Sequence, residues 1–535
     1  MAEKRQVLVH NANVHTVDEI QPHVTWFTVL GDRIQRAGLG PPPQNIPLRL
    51  DLGGRTVVPG FVDAHAHFFQ TGIDKLFIDL LDTHTVAELG RRLTAGSVGG
   101  KRTWLIGHSF EEDELTDVKR LTRAHLDELF PDRPVWVNRI DYHAAVVNSV
   151  ALRRLDVPLG THGLLQDRGQ PNGILRSEAY FHAKARVAQA YPIEIKERAV
   201  KTAADACIAR GITAVHALEG GRIFGDAGVP MLLKRLHLLP LHVTLFLQEK
   251  NVYFTTRLGF EHLGGCILLD GSIGSYTAAL NADYEGHPGQ RGVLYEKQRE
   301  FTSFVEEAHE AGVQLAFHAI GPRAIDMVLS AYDRALTRFP RYDHRHRIEH
   351  FELATDEQIA RARDLGLVIS MQPSFEQYWG GPDGMYASRL GERWRSTNRL
   401  RTILDRGILI AGGSDTNVTP PDPLLGIHGA VNHPNEEQRV SVEQALRMFT
   451  IDAAYSGFNE NRHGSISPGK QADFVVLGAD PFQVPAATLR EIQVLQTWYR
   501  GRAVYRNPDG ADLPIRGREG RREDPNGATE PAQTV

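Results

Sequence analysis

A chain of 535 residues exceeds what one ordinary hydrophobic core holds and points to two or more structural units. Its 41% hydrophobic and 23% charged content is that of a globular protein, and a formal charge of −5 gives no electrostatic basis for nucleic-acid or anionic-membrane partners. Two cysteines, Cys207 and Cys266, exclude a disulfide framework and favour a reducing cytoplasm.

The polar start, Met1-Ala2-Glu3-Lys4-Arg5-Gln6, carries no apolar signal segment. No run of about 18 apolar residues marks a membrane span. Residues 1–58 alternate short strand patterns (7–10, 24–30) with turns such as Gly31-Asp32-Arg33. Residues 472–477 and 494–505 have the same character. The stretches 1–58 and 465–506 are therefore expected to pair in one β-sandwich, since domain termini commonly lie close together. Residues 59–464 alternate helical patterns (195–210, 301–311, 324–338, 356–365, 442–451) with short apolar runs such as 212–215, 314–317, 368–371 and 408–411. Repeated β-then-α units argue for an α/β fold with parallel strands and crossover helices. Their number favours a (β/α)₈ barrel over an open sheet, a choice that periodicity alone does not make. Residues from about 85 to 190 interrupt the rhythm and are expected to form an inserted subdomain over the barrel mouth. The basic cluster 341–347 reads as solvated surface. Residues 507–535 hold almost no large apolar groups and are expected to be a disordered tail.

The run Val57-Val58-Pro59-Gly60-Phe61-Val62-Asp63-Ala64-His65-Ala66-His67 reads as a buried strand ending in two histidines. Strand residues i and i+2 share a face, so His65 and His67 can reach one metal ion. Such a pair also arises by chance among 24 histidines. Later apolar runs end in His318, in Arg347-Ile348-Glu349-His350 and in Gly413-Ser414-Asp415. In a barrel, carboxyl-terminal strand ends converge on one face. Four histidines and one aspartate suffice for one or two divalent ions with a position left for water.

In this set of motifs the sequence resembles the amidohydrolase superfamily, and within it the amidohydrolase-3 branch that includes YtcJ-like proteins and N-substituted formamide deformylases. Asp270-Gly271-Ser272, His318-Ala319-Ile320-Gly321, Arg139-x-Asp141-x-His143 with Asn148-Ser149, and Gly469-Lys470-Gln471-Ala472-Asp473-Phe474 match as well. The resemblance implies a metal-bearing barrel flanked by a β-sandwich. It makes His65 and His67 ligands of one ion, His318 and His350 ligands of another or substrate contacts, and Asp415 a ligand that also shuttles the proton. His143 and Asn148 are candidates for substrate contact. Cys266 stands where many members carry a bridging lysine, and reads either as a thiolate ligand or as a small packed hydrophobe. Pro322 replaces a familiar aspartate and Glu178 comes one residue late, both where substrate contacts are expected.

The implied activity is metal-dependent hydrolysis of an amide, cyclic amide or related C–N bond of a small molecule, most simply with zinc. Asp415 would act as general base and then acid, with His318 and His350 at the developing oxyanion. Metal-assisted decarboxylation or isomerisation and a non-catalytic metal-binding sensor are the competing readings. A homodimer or higher homo-oligomer fits barrels of this size. The run 375–379 either lines the pocket or packs in the core.

Overall fold

The computed structural model describes residues 5–96, 103–221, 228–510, 515–516 and 522–523. At its centre stand eight parallel strands, numbered here in chain order. They are β1 (Phe61–Ala66), β2 (Ile212–Glu219), β3 (His242–Leu247), β4 (His262–Leu268), β5 (Gln314–Ala319), β6 (Arg347–His350), β7 (Val368–Met371) and β8 (Ile410–Gly412). Each pairs with its sequence neighbour, and the ring is drawn together by a parallel bridge between Ala66 and Thr416. The result is a nearly closed (β/α)₈-type barrel. β1, β2, β5 and β6 are buried along their whole length, as parallel strands covered on both faces must be.

Local chemistry sets the connections. Pro322 opens the helix Pro322–Arg338 after β5, where its missing N–H costs nothing. Thr355 and Gln358 form a capping box on the helix Asp356–Asp364 after β6. Gly413 follows β8 because a Cβ there would lie 2.6 Å from the His65 Cβ. Glycine thus lets the last strand close against the first beside a candidate ligand.

Residues from both ends of the chain share one ten-stranded sheet. Its strand Thr56–Pro59 pairs antiparallel with Phe474–Leu477 and leads through Gly60 into β1. Ile515–Arg516 pair with Leu50 and Arg49 at its edge, and most of 507–535 lies outside the described residues. A separate six-stranded sheet runs from Ile78–Asp79 to Gln170–Arg176, between β1 and β2.

The expectation of a solvated basic surface at 341–347 is overturned. Arg345 is 8% exposed, stacks 3.7 Å from the Tyr455 ring centre and pairs with Glu460. Arg347 is fully buried inside the barrel. Ion pairing and aromatic stacking, invisible in a local charge count, make that burial tolerable. Among the described residues, no helix is long and apolar enough to cross a membrane.

Candidate metal and active site

His65, at the end of β1, and His67, just beyond it, meet Asp415, which follows β8. The Asp415 Oδ1 lies 3.2 Å from both His65 Nε2 and His67 Nε2. These three buried residues form the one group of potential metal donors found among the described residues. Their surroundings fix which atoms face inward. His65 Nδ1 lies 2.7 Å from the Glu349 carboxylate, and His67 Nδ1 lies 3.0 Å from the Leu218 carbonyl. Both partners can only accept, so in a neutral ring each Nδ1 carries the proton and each Nε2 presents a lone pair. Two lone pairs and a carboxylate oxygen converging without a proton between them are the donor set of a divalent cation.

Supporting contacts lock this arrangement. Arg347 grips Glu349 through two bonds of 2.8 Å, and its Nη2 also donates to the Ala64 carbonyl at 2.7 Å. Burial would raise the Glu349 carboxyl, but Arg347 and His65 outweigh it and hold it down to about 2. Asp63 accepts from the Ser414 N–H at 2.9 Å and from the His65 N–H at 3.1 Å, tying β1 to the turn after β8. Asp415 sits at φ 52° and His350 at φ 72°, left-handed conformations that carry strain away from glycine.

His350 and His318 stand beside the group without joining it. The rings of His65 and His350 are 4.8 Å apart between centres, and those of His350 and His318 4.5 Å. His350 Nδ1 lies 2.7 Å from the Gln372 amide oxygen. His318 Nε2 lies 3.6 Å from Asp270, whose carboxylate accepts the Ala279, Ile320 and Gly321 N–H groups at 2.8–3.0 Å. Burial pushes the Asp270 carboxyl up to about 7 in spite of those donors. The side chain of Cys266 lies outside the described residues, although its backbone belongs to β4.

A cavity of about 460 Å³ opens onto this centre and reaches Asp415, His318 and His350. His143 lines it, with its ring 6.0 Å from that of His318. Phe375, Tyr378 and Trp379 form an aromatic part of the wall. Asn148, a candidate for substrate contact, is not there. Its Oδ1 accepts from Val135 and Ala151, its Nδ2 donates to the Phe130 and Arg133 carbonyls, and it is fully buried as the cap of the helix Ser149–Leu155. An asparagine just before a helix is itself a cap signal that points to this role. Pro322 and Glu178 do not line the cavity either: one opens a helix, and the other is exposed in the first turn of the helix Ser177–Gln189.

Residues that sequence reasoning left without a role complete the wall. Arg139 Nη1 donates to Asp141 at 2.6 Å, and Asp141 also accepts from Ser272 at 2.8 Å and from Ser275. Burial opposes the Asp141 charge, but Arg139 holds its carboxyl well below the usual range. A depressed carboxyl contributes stability that is complete above its unfolded value, about pH 4, and is lost as acid protonates the folded form. Asp141→Asn should therefore destabilise by about 2–3 kcal/mol at pH 7, with the deficit shrinking towards pH 2, as read by urea unfolding across pH.

The family model described as "Amidohydrolase family" matches residues 50–505. The YtcJ protein of Bacillus subtilis (strain 168) is 31% identical over 85% of this chain and 90% of its own. N-substituted formamide deformylase of Arthrobacter pascens is 27% identical over 94% of this chain and 99% of its own. An uncharacterized metal-dependent hydrolase from Pyrococcus furiosus superposes with a TM-score of 0.71 at 25% identity, covering 89% of this chain and 100% of that one. The chain belongs to the amidohydrolase family.

Proposed function

We propose that the protein is a metal-dependent hydrolase that cleaves an amide, cyclic amide or related C–N bond of a small molecule. The convergence of the His65 and His67 lone pairs with Asp415 Oδ1 carries this reading. Family membership and the hydrolases among its relatives support it. His65, His67 and Asp415 would hold the ion, for which zinc suits the N/O donors, and His318, His350 and Cys266 offer donors for a second. A divalent ion held there would supply a water of lowered pKa and polarisation of a carbonyl oxygen. Asp415 takes the proton from the attacking water and returns it to the departing nitrogen. His350, fixed by Gln372, and His318 stabilise charge gathering on the carbonyl oxygen, while His143 contacts the substrate from the facing wall. The sparse cysteines support a cytoplasmic setting, and homo-oligomerisation is part of the same proposal.

The experiment is metal analysis followed by incubation with a panel of amides and cyclic amides, with products identified by mass. Paired amine and acid products from an amide, or one ring-opened product heavier by a water from a cyclic amide, support hydrolysis. Carbon dioxide release or an isobaric product would replace it with decarboxylation or isomerisation, and turnover without metal would remove the ion from the reaction. Chelation should abolish activity and added zinc restore it. Cys266→Ala should lower zinc per chain if the thiolate is a ligand; unchanged content assigns the cysteine to packing.

A further inference from the structure

We propose that Asp74 is a positioning residue that joins the loop bearing His143 to the turn bearing Asp415, so that the substrate wall and the metal ligand are held as one unit. This rests on the hydrolase reading, which gives His143 and Asp415 their roles.

Asp74 ends the helix Phe68–Asp74, which begins directly after His67. It is 6% exposed. Its Oδ1 accepts from Gln70 Nε2 at 2.6 Å within the same helix. Its Oδ2 accepts two donors that lie far apart in the sequence. One is the Tyr142 hydroxyl, from the inserted segment. The other is Asn417 Nδ2 at 2.8 Å, from the segment after β8. Tyr142 stands between Asp141 and His143, both of which line the cavity. Asn417 lies within the tight turn closed by the Val418 N–H on the Asp415 carbonyl at 2.7 Å. Neither Tyr142 nor Asn417 lines the cavity itself. One carboxylate oxygen thus spans the insertion and the last barrel turn, at the foot of the helix that leaves the first barrel strand. A second tie runs beside it, where Thr71 Oγ1 lies 3.2 Å from Thr416 Oγ1.

A carboxylate this deeply buried persists only if its lone pairs are filled and its charge answered. Three donors fill it. The Lys184 ammonium, 2% exposed and 5.1 Å from the centre of the Tyr142 ring, answers the charge. Both joined loops need such a tie. Tyr142 at φ 56° and Asp415 at φ 52° are side-chain-bearing residues in left-handed backbone, which surrounding structure must enforce. Hydrogen bonds to a charged group are the strong ones, and two that share an acceptor act together.

The test uses the zinc-loaded full chain and two readouts: zinc release to a chelator, and kcat and KM for an amide identified in the panel. Tyr142→Phe sits on the substrate side, yet should speed zinc release about tenfold. Asn417→Ala sits on the metal side, yet should raise KM about tenfold while changing kcat less. The double variant should release zinc within about twofold of the faster single variant, because both substitutions cut one shared node. Two results overturn the proposal: zinc release unmoved by Tyr142→Phe, or a double variant whose effect is the product of the singles. A merely structural role would lower the melting temperature and leave the cross-effects absent. Asp74→Asn should match the double variant, and if it does not fold, the singles and the double still decide. If no amide is cleaved, the hydrolase reading fails, while zinc release alone still reports whether Asp74 couples the loops.

Discussion

Asp415→Asn is expected to give a folded protein whose turnover is lower by about 10⁴-fold, the upper range for removing a positioned acid–base group. Shape and backbone argue for retained folding. Asparagine tolerates the left-handed φ of 52° better than most residues. The Asp415 N–H would keep its bond to the His65 carbonyl at 2.8 Å. What disappears is the anionic oxygen facing two imidazole lone pairs, together with the ability to accept and return a proton. Steady-state kinetics beside a thermal melt checks this. A near-normal rate would remove Asp415 from the chemistry, and a collapsed melt would move its role to folding.

Arg347→Met should destabilise the protein by about 3–5 kcal/mol, the range for breaking one side of a buried ion pair. Arg347 is completely buried, with its guanidinium 4.5 Å from the Phe246 ring centre and its Nη1 2.9 Å from His216 Nδ1. Methionine fills part of that space but leaves Glu349 in the barrel interior with His65 Nδ1 as its remaining partner. The carboxyl, now held down to about 2, would rise, and its hold on His65 Nδ1 would weaken. Denaturant unfolding gives the energy, and zinc affinity should fall by about 10–100-fold, as for other lost partners of a metal-bound histidine. Wild-type stability and affinity in this variant would show that the ion pair supports neither barrel nor ligand.

How much of this was legible before the structure differs by residue. The β-then-α rhythm indicated a barrel because amphipathic helices and buried parallel strands each leave a local pattern. His65 and His67 were legible because an i, i+2 pair at a strand end is a local signal. Asp415 emerged from the same logic at a later strand end. The Arg347–Glu349 clamp was not legible, although both residues lie in a motif already singled out for His350. Strict alternation puts Glu349 and His350 on opposite faces. The structure presents both to the site because φ is positive at His350 and at Phe351, 72° and 55°, so the strand ends there. No local pattern announces that turn. Arg345 and Arg347 were misjudged for a related reason: the partners that bury them, Glu460 and Tyr455 or His216 and Ala64, lie far along the chain. Asn148 shows the converse failure. Its cap signal was present, but the neighbouring motif drew attention to substrate instead.

The seam between β1 and β8 also bears on biosynthesis. Ser414 bonds Asp63 across 351 positions, and the two imidazoles must wait for the same late segment before their third donor arrives. A ribosome-bound chain that has exposed only the early strands would offer a divalent ion two nitrogens and no third donor. If the centre holds an ion as proposed, firm metallation would wait until nearly the entire barrel has emerged, and loading would then report finished assembly.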